Sequence, residues 1–91
     1  MKSLQDIRRE IDSIDAEILA LLQKRFLCSK EIARIKQETG MPVFDRTREE
    51  ELFARIEAIA KKEGIPPSVA QSIFTEIVHQ SRRVQEREKS L

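Results

Sequence analysis

The chain has 91 residues, of which 17 are basic and 16 acidic, leaving a formal charge of +1. That balance argues against a polybasic nucleic-acid or membrane binder, though it leaves room for a local basic site. Two glycines, three prolines, no Trp and no Tyr, set against abundant Ala, Leu, Ile, Glu, Lys, Arg and Gln, argue against a β fold. The class expected is all-α, as a single domain over residues 1–91.

Gly40-Met41-Pro42 and Gly64-Ile65-Pro66-Pro67 punctuate the chain and predict three helices, roughly 4–38, 46–63 and 67–89. In the first, Leu4, Ile7, Ile11, Ile14, Ile18, Leu21, Arg25, Cys28, Ile32 and Ile35 follow at alternating steps of three and four. This is the seam of a paired helix. Ser3 with Asp6 offers a capping start and Gly40 a stop. Roughly 35 residues at about 1.5 Å each make a rod about 52 Å long. A compact chain of this length is only about 30 Å across. The seam would therefore overhang any single-chain globule and leave Ile side chains in water. An intertwined homodimer around paired first helices is expected.

The second helix opens after Asp45 or Thr47, the latter with capping-box spacing to Glu50. Its stripe is Leu52, Ile56 and Ile59, with Phe53 and Ala60 alongside. The third starts at Pro67, where the first turn tolerates proline, and is expected to bury Val69, Ile73, Phe74, Ile77, Val78 and Val84.

Each stripe turns polar somewhere. Arg25 is the sole charged seam member of helix 1, and Lys36, eleven residues on, returns to within about 20° of it. Extending the second stripe backward meets Glu49 and Asp45, with Arg48 beside them; the third runs on into Ser81 and Gln85. A guanidinium on an apolar seam is costly unless paired. Two readings stand level: an internal Arg25–Glu49 ion pair, or Arg25 and Lys36 awaiting an anionic ligand. Arg8 lies 17 residues from Arg25, roughly 25 Å along the same helix, too far to share a small ligand within one chain. In an antiparallel pair crossing near Ile18 it would approach Arg25 and Cys28 of the other chain. Taken alone, Arg8 reads as a solvated surface arginine.

These residues resemble the all-helical class of chorismate mutases over almost the whole chain. The resemblance rests on Ile7-Arg8-Arg9-Glu10-Ile11 with Ile14-Asp15, Leu21-Leu22-Gln23-Lys24-Arg25 and Ile35-Lys36. It continues through Pro42-Val43-Phe44-Asp45-Arg46-Thr47-Arg48-Glu49, then Ile73-Phe74, Ile77, Val78, Ser81 and Gln85. It implies the Claisen rearrangement of chorismate to prephenate in Phe and Tyr biosynthesis, with no cofactor, no metal and no covalent intermediate. By similarity, Arg25, Arg48 and a second chain's Arg8 hold the two substrate carboxylates. Lys36 and Gln85 donate to the ether oxygen as charge develops there. Glu49 and the backbone near Asp45 accept from the ring hydroxyl, and Ser81 bonds a carboxylate or an ordered water. Gln85, a neutral amide, donates without needing protonation, so activity is expected to persist at neutral and mildly alkaline pH.

Other features read more plainly. Cys28 is expected to be a small buried hydrophobe, His79 a surface or interface residue. Arg82-Arg83 and the run Arg87–Lys89 look like a solvated helix end, and Glu49-Glu50-Glu51 sits where a helix N-terminus favours carboxylates. One cysteine requires no oxidising compartment, the charged N-terminal stretch is unlike a signal peptide, and no apolar run is long enough to span a membrane, so a cytoplasmic protein is expected. Association with another aromatic-pathway enzyme is left open. Two rivals stand beside the mutase. One is an isochorismate–pyruvate lyase on the same scaffold, against which the charged Arg48–Glu49 pair weighs. The other is a non-catalytic dimerisation or regulatory module, against which polar patches on three stripes weigh.

Overall fold

The computed structural model describes residues 1–91 as three helices: α1 Leu4–Thr39, α2 Arg46–Glu63 and α3 Pro67–Lys89. All three fall within a residue or so of the spans that the punctuation predicts. At the start of α1, the Ser3 hydroxyl accepts from the Asp6 backbone and the Asp6 carboxylate accepts from the Ser3 backbone, each at 3.1 Å. Gly40 (φ 73°) and Gly64 (φ 76°) end α1 and α2 in the left-handed region, where a Cβ would be strained. Asp45, not Thr47, caps α2: its carboxylate accepts from the Arg48 backbone at 3.1 Å. Thr47 already lies inside the first turn, so the capping box expected with Glu50 is not used. Pro67 sits at the first position of α3.

α3 packs against both α1 and α2, whose backbones stay apart from one another. The core joins Leu52, Ile56 and Ala60, one turn apart on α2, to Ala70 and Val78 on α3, with Phe53 and Phe74 against them. The stripe of α3 is covered only in part. Phe74, Ile77 and Val84 are half-buried, whereas Val69 and Ile73 lie exposed, as does Ile59 of α2. These three occupy faces that the single chain leaves open.

The chain measures 57 × 27 × 14 Å with a radius of gyration of 16.5 Å. A compact globule of this length would be near 12 Å. The excess is α1, whose buried residues Ser29, Ala33 and Lys36 all lie in its C-terminal half. Leu4, Ile7, Ile11, Ile14, Ile18 and Leu21 of the other half are exposed. Only 10 of 91 residues are buried, none of them a large side chain fully enclosed, which is a thin core for an independent unit. No helix is long and apolar enough to cross a membrane.

Candidate active site

Where the three stripes turn polar they converge on one cavity of about 410 Å³. From α1 it takes Arg25, Cys28, Ser29, Ile32 and Lys36, the C-terminal run of the seam. The α1–α2 connection gives Val43 and Asp45, and the first turns of α2 give Arg48, Glu49, Leu52 and Arg55. Val78, Ser81, Arg82 and Gln85 complete it from α3. Helical periodicity explains the grouping, since steps of three, four and seven return to one face.

Lys36 is buried and donates from Nζ to the Val43 carbonyl at 2.6 Å and to Gln85 Oε1 at 3.0 Å. An ammonium has three donors, so one is left over. Arg25 Nη1 donates to the Ser81 hydroxyl, which keeps its own proton free to give. Ser29 Oγ donates to the Arg25 carbonyl at 3.2 Å. The Arg82 guanidinium meets the Glu49 carboxylate edge-on, Nε to Oε2 at 2.7 Å and Nη2 to Oε1. Its Cζ lies over the Phe44 ring, 4.6 Å from the ring centre.

The electrostatics are lopsided. Five basic side chains (Arg25, Lys36, Arg48, Arg55, Arg82) face two acidic ones, Asp45 and Glu49. Both acids are engaged, Asp45 as the cap of α2 and Glu49 by Arg82. No carboxylate pairs with Arg25, Lys36, Arg48 or Arg55. Burial, then the neighbouring guanidinium groups of Arg48 and Arg55, pull the Arg25 pKa below its usual value. Burial likewise lowers that of Lys36, offset in part by Asp45. The hydrogen bond to Glu49 raises that of Arg82. Such a concentration of unneutralised cations has the chemistry to accept a ligand carrying more than one negative charge.

Seven of the eight residues singled out from sequence line this cavity: Arg25, Lys36, Asp45, Arg48, Glu49, Ser81 and Gln85. Arg8 does not; it is exposed on the uncovered half of α1. The Arg25–Glu49 pair considered above does not form, because Arg82 occupies Glu49. Arg82 therefore belongs to the site and not to a solvated helix end. It was missed because it lies one residue off the Ser81–Gln85 stripe, and only the fold brings Phe44 and Glu49 to it. Arg55 was missed too, although its seven-residue step from Arg48 places both on one face. Cys28 lines the cavity and is exposed, not buried, since nothing in the single chain covers that part of the seam. His79 is exposed on α3 and stands outside the cavity.

Compared with known families, residues 7–86 match chorismate mutase type II. The chain belongs to this family. A chorismate mutase of Methanocaldococcus jannaschii is 31% identical over 93% of this chain and 86% of its own length. The bifunctional chorismate mutase/prephenate dehydratase of Aquifex aeolicus is 38% identical over 86% of this chain, which spans only 22% of that larger protein. The T-protein of Haemophilus influenzae is 28% identical over 89% of this chain and 22% of its own length. The matched span of this chorismate mutase family member takes in every residue of the cavity.

Proposed function

We propose that this cavity is where the chain, a chorismate mutase, rearranges chorismate to prephenate for aromatic amino-acid biosynthesis. The reaction is intramolecular: the ether C–O bond breaks as a C–C bond forms, and no atom is gained or lost. A catalyst must fold the enolpyruvyl arm over the ring and stabilise negative charge on the ether oxygen. The observation that carries the reading is a cavity in which Arg25, Arg48, Arg55 and Lys36 have no carboxylate of their own.

Arg25 and Arg48 are suited to grip the carboxylates through their planar forks. Lys36 has a donor to spare, and Gln85, whose oxygen is already taken by Lys36, has its amide N–H groups to give. These two are the donors proposed for the ether oxygen. Glu49 and the backbone near Asp45 are proposed to accept from the ring hydroxyl, and Ser81 to donate to a carboxylate or a water. Arg8 is proposed to enter from a second copy, paired along the exposed Ile7–Leu21 face of α1 in a homodimer. That pairing would bury apolar side chains worth about 1.5–3 kcal/mol each. No part of this chemistry calls for a cofactor, and a cytoplasmic location suits a pathway enzyme.

Loss of chorismate absorbance with identification of the product tests the reading. Prephenate formation, abolished by Arg25→Ala, is expected. A wild-type rate equal to buffer would overturn it, as would pyruvate release from isochorismate outrunning prephenate formation.

A further inference from the structure

The Arg82 guanidinium is committed on two sides at once. Its Nε and Nη2 edge is spent on the two oxygens of Glu49, and its Cζ lies over the Phe44 ring, 4.6 Å from the centre. Glu49 stands in the first turn of α2, Phe44 in the α1–α2 connection, and Arg82 on α3. One side chain thus ties three elements together at the cavity wall. The connection is held elsewhere by two further cations, Lys36 on the Val43 carbonyl and Lys89 on the Met41 carbonyl at 3.0 Å. Of the three, only Arg82 reaches an acidic side chain that itself faces the cavity.

We propose that Arg82 is a positioning residue that sets the Glu49 carboxylate as a hydroxyl acceptor, so that the site selects a ring bearing a free hydroxyl. This rests on the mutase reading above. A carboxylate accepts through up to four lone-pair sites, and an edge-on guanidinium uses one on each oxygen. The remaining sites are left to a ligand, in an orientation fixed by the fork. Without Arg82, nothing holds the Glu49 carboxylate in one rotamer, and its oxygens are free to turn away from the place of a ring hydroxyl while the carboxylate clamps stay as they are. The cation over Phe44 keeps the guanidinium plane from swinging out to solvent.

The test is a kinetic comparison of chorismate with an analogue lacking the ring hydroxyl, using wild type, Arg82→Ala, Glu49→Ala and the double variant. Arg82→Ala is expected to lower kcat/KM for chorismate by up to about 100-fold, the scale of a misplaced reacting group, and to leave the deoxy analogue nearly untouched. Adding Arg82→Ala to Glu49→Ala should cost less than about twofold more, because the two residues act as one unit. Equal losses on both substrates, or no loss on either, would overturn the proposal. Should Arg82→Ala not fold, Arg82→Lys and Arg82→Met carry the same comparison, one keeping the charge and the other only the stem. Lys outperforming Met on chorismate alone is the expected result; equality of the two overturns the role. Wild type inactive on both substrates would remove the mutase reading along with it, whereas each of the other results leaves that reading standing.

Discussion

Lys36 Nζ donates to Gln85 Oε1 at 3.0 Å, and both side chains are 8% exposed. That bond fixes which end of the amide serves the cavity: the oxygen faces the ammonium, and the N–H groups remain as donors. A carboxylate in the same place would accept from Lys36 and offer no donor unless protonated.

Gln85→Glu is therefore expected to lose about 10²–10³ in rate at neutral pH, the cost of one oxyanion donor, and to recover as pH falls. Wild type should show no such acid dependence between about pH 5 and 7, because the amide does not titrate. Paired pH–rate profiles check both statements, and an acid limb in wild type would contradict them.

Lys36 sets the alkaline side. Its pKa lies below the usual 10.5, chiefly through burial. The ammonium is the donating form, so kcat/KM should fall as pH rises through a value below 10.5. Stability should move the other way. Between the lowered folded value and the ordinary one, the unfolded chain holds more protons, so this group adds stability as pH increases. Activity falling while the melting temperature holds or rises identifies site titration and not alkaline unfolding. A bound dianion favours the ammonium and should displace the limb of kcat upward relative to that of kcat/KM. Lys36→Arg should remove the limb altogether.

The exposed half of α1 and the position of Arg8 lead to a complementation test. If each site takes Arg25 from one copy and Arg8 from the other, Arg8→Ala and Arg25→Ala homodimers are both impaired. Each heterodimer would have one intact site. Dissociated, mixed and reassociated at equal amounts, the two should regain about a quarter of wild-type activity, since half the dimers are mixed and half their sites complete. No recovery would place Arg8 outside the site. Ile14→Glu, on a side chain 53% exposed in the single chain, should split the dimer and abolish activity. On a free surface it would change stability by no more than about 0.5 kcal/mol.

Much of this was legible because helices advertise themselves. Gly40 and Gly64 end α1 and α2 where left-handed backbone is needed, and Ser3–Asp6 opens α1 as its spacing suggests. The polar interruptions at Arg25, Lys36, Glu49, Ser81 and Gln85 meet in space because each lies on a stripe that must face a neighbour. What periodicity could not supply was partnership between elements. Glu49 shares its cavity with Arg25, Arg48 and Arg82, and nothing in the spacing ranks them as partners. The Arg82–Phe44 contact depends on the path of the α1–α2 connection, which has no period at all. The buried status expected of Cys28, Val69 and Ile73 failed for a different reason: a stripe marks an apolar face, and in the single chain nothing packs on this part of it.

Arg25, Arg48 and Lys36 are proposed to stand without carboxylate partners because an incoming dianion supplies them. Calorimetric titration with a dicarboxylate transition-state analogue, in wild type and Arg25→Ala, is the decisive experiment. Saturable binding of one molecule per chain is expected, weakened about 10- to 150-fold in the variant, the range for a lost hydrogen bond to a charged group. Absence of binding to wild type, or equal affinity in both proteins, would contradict it.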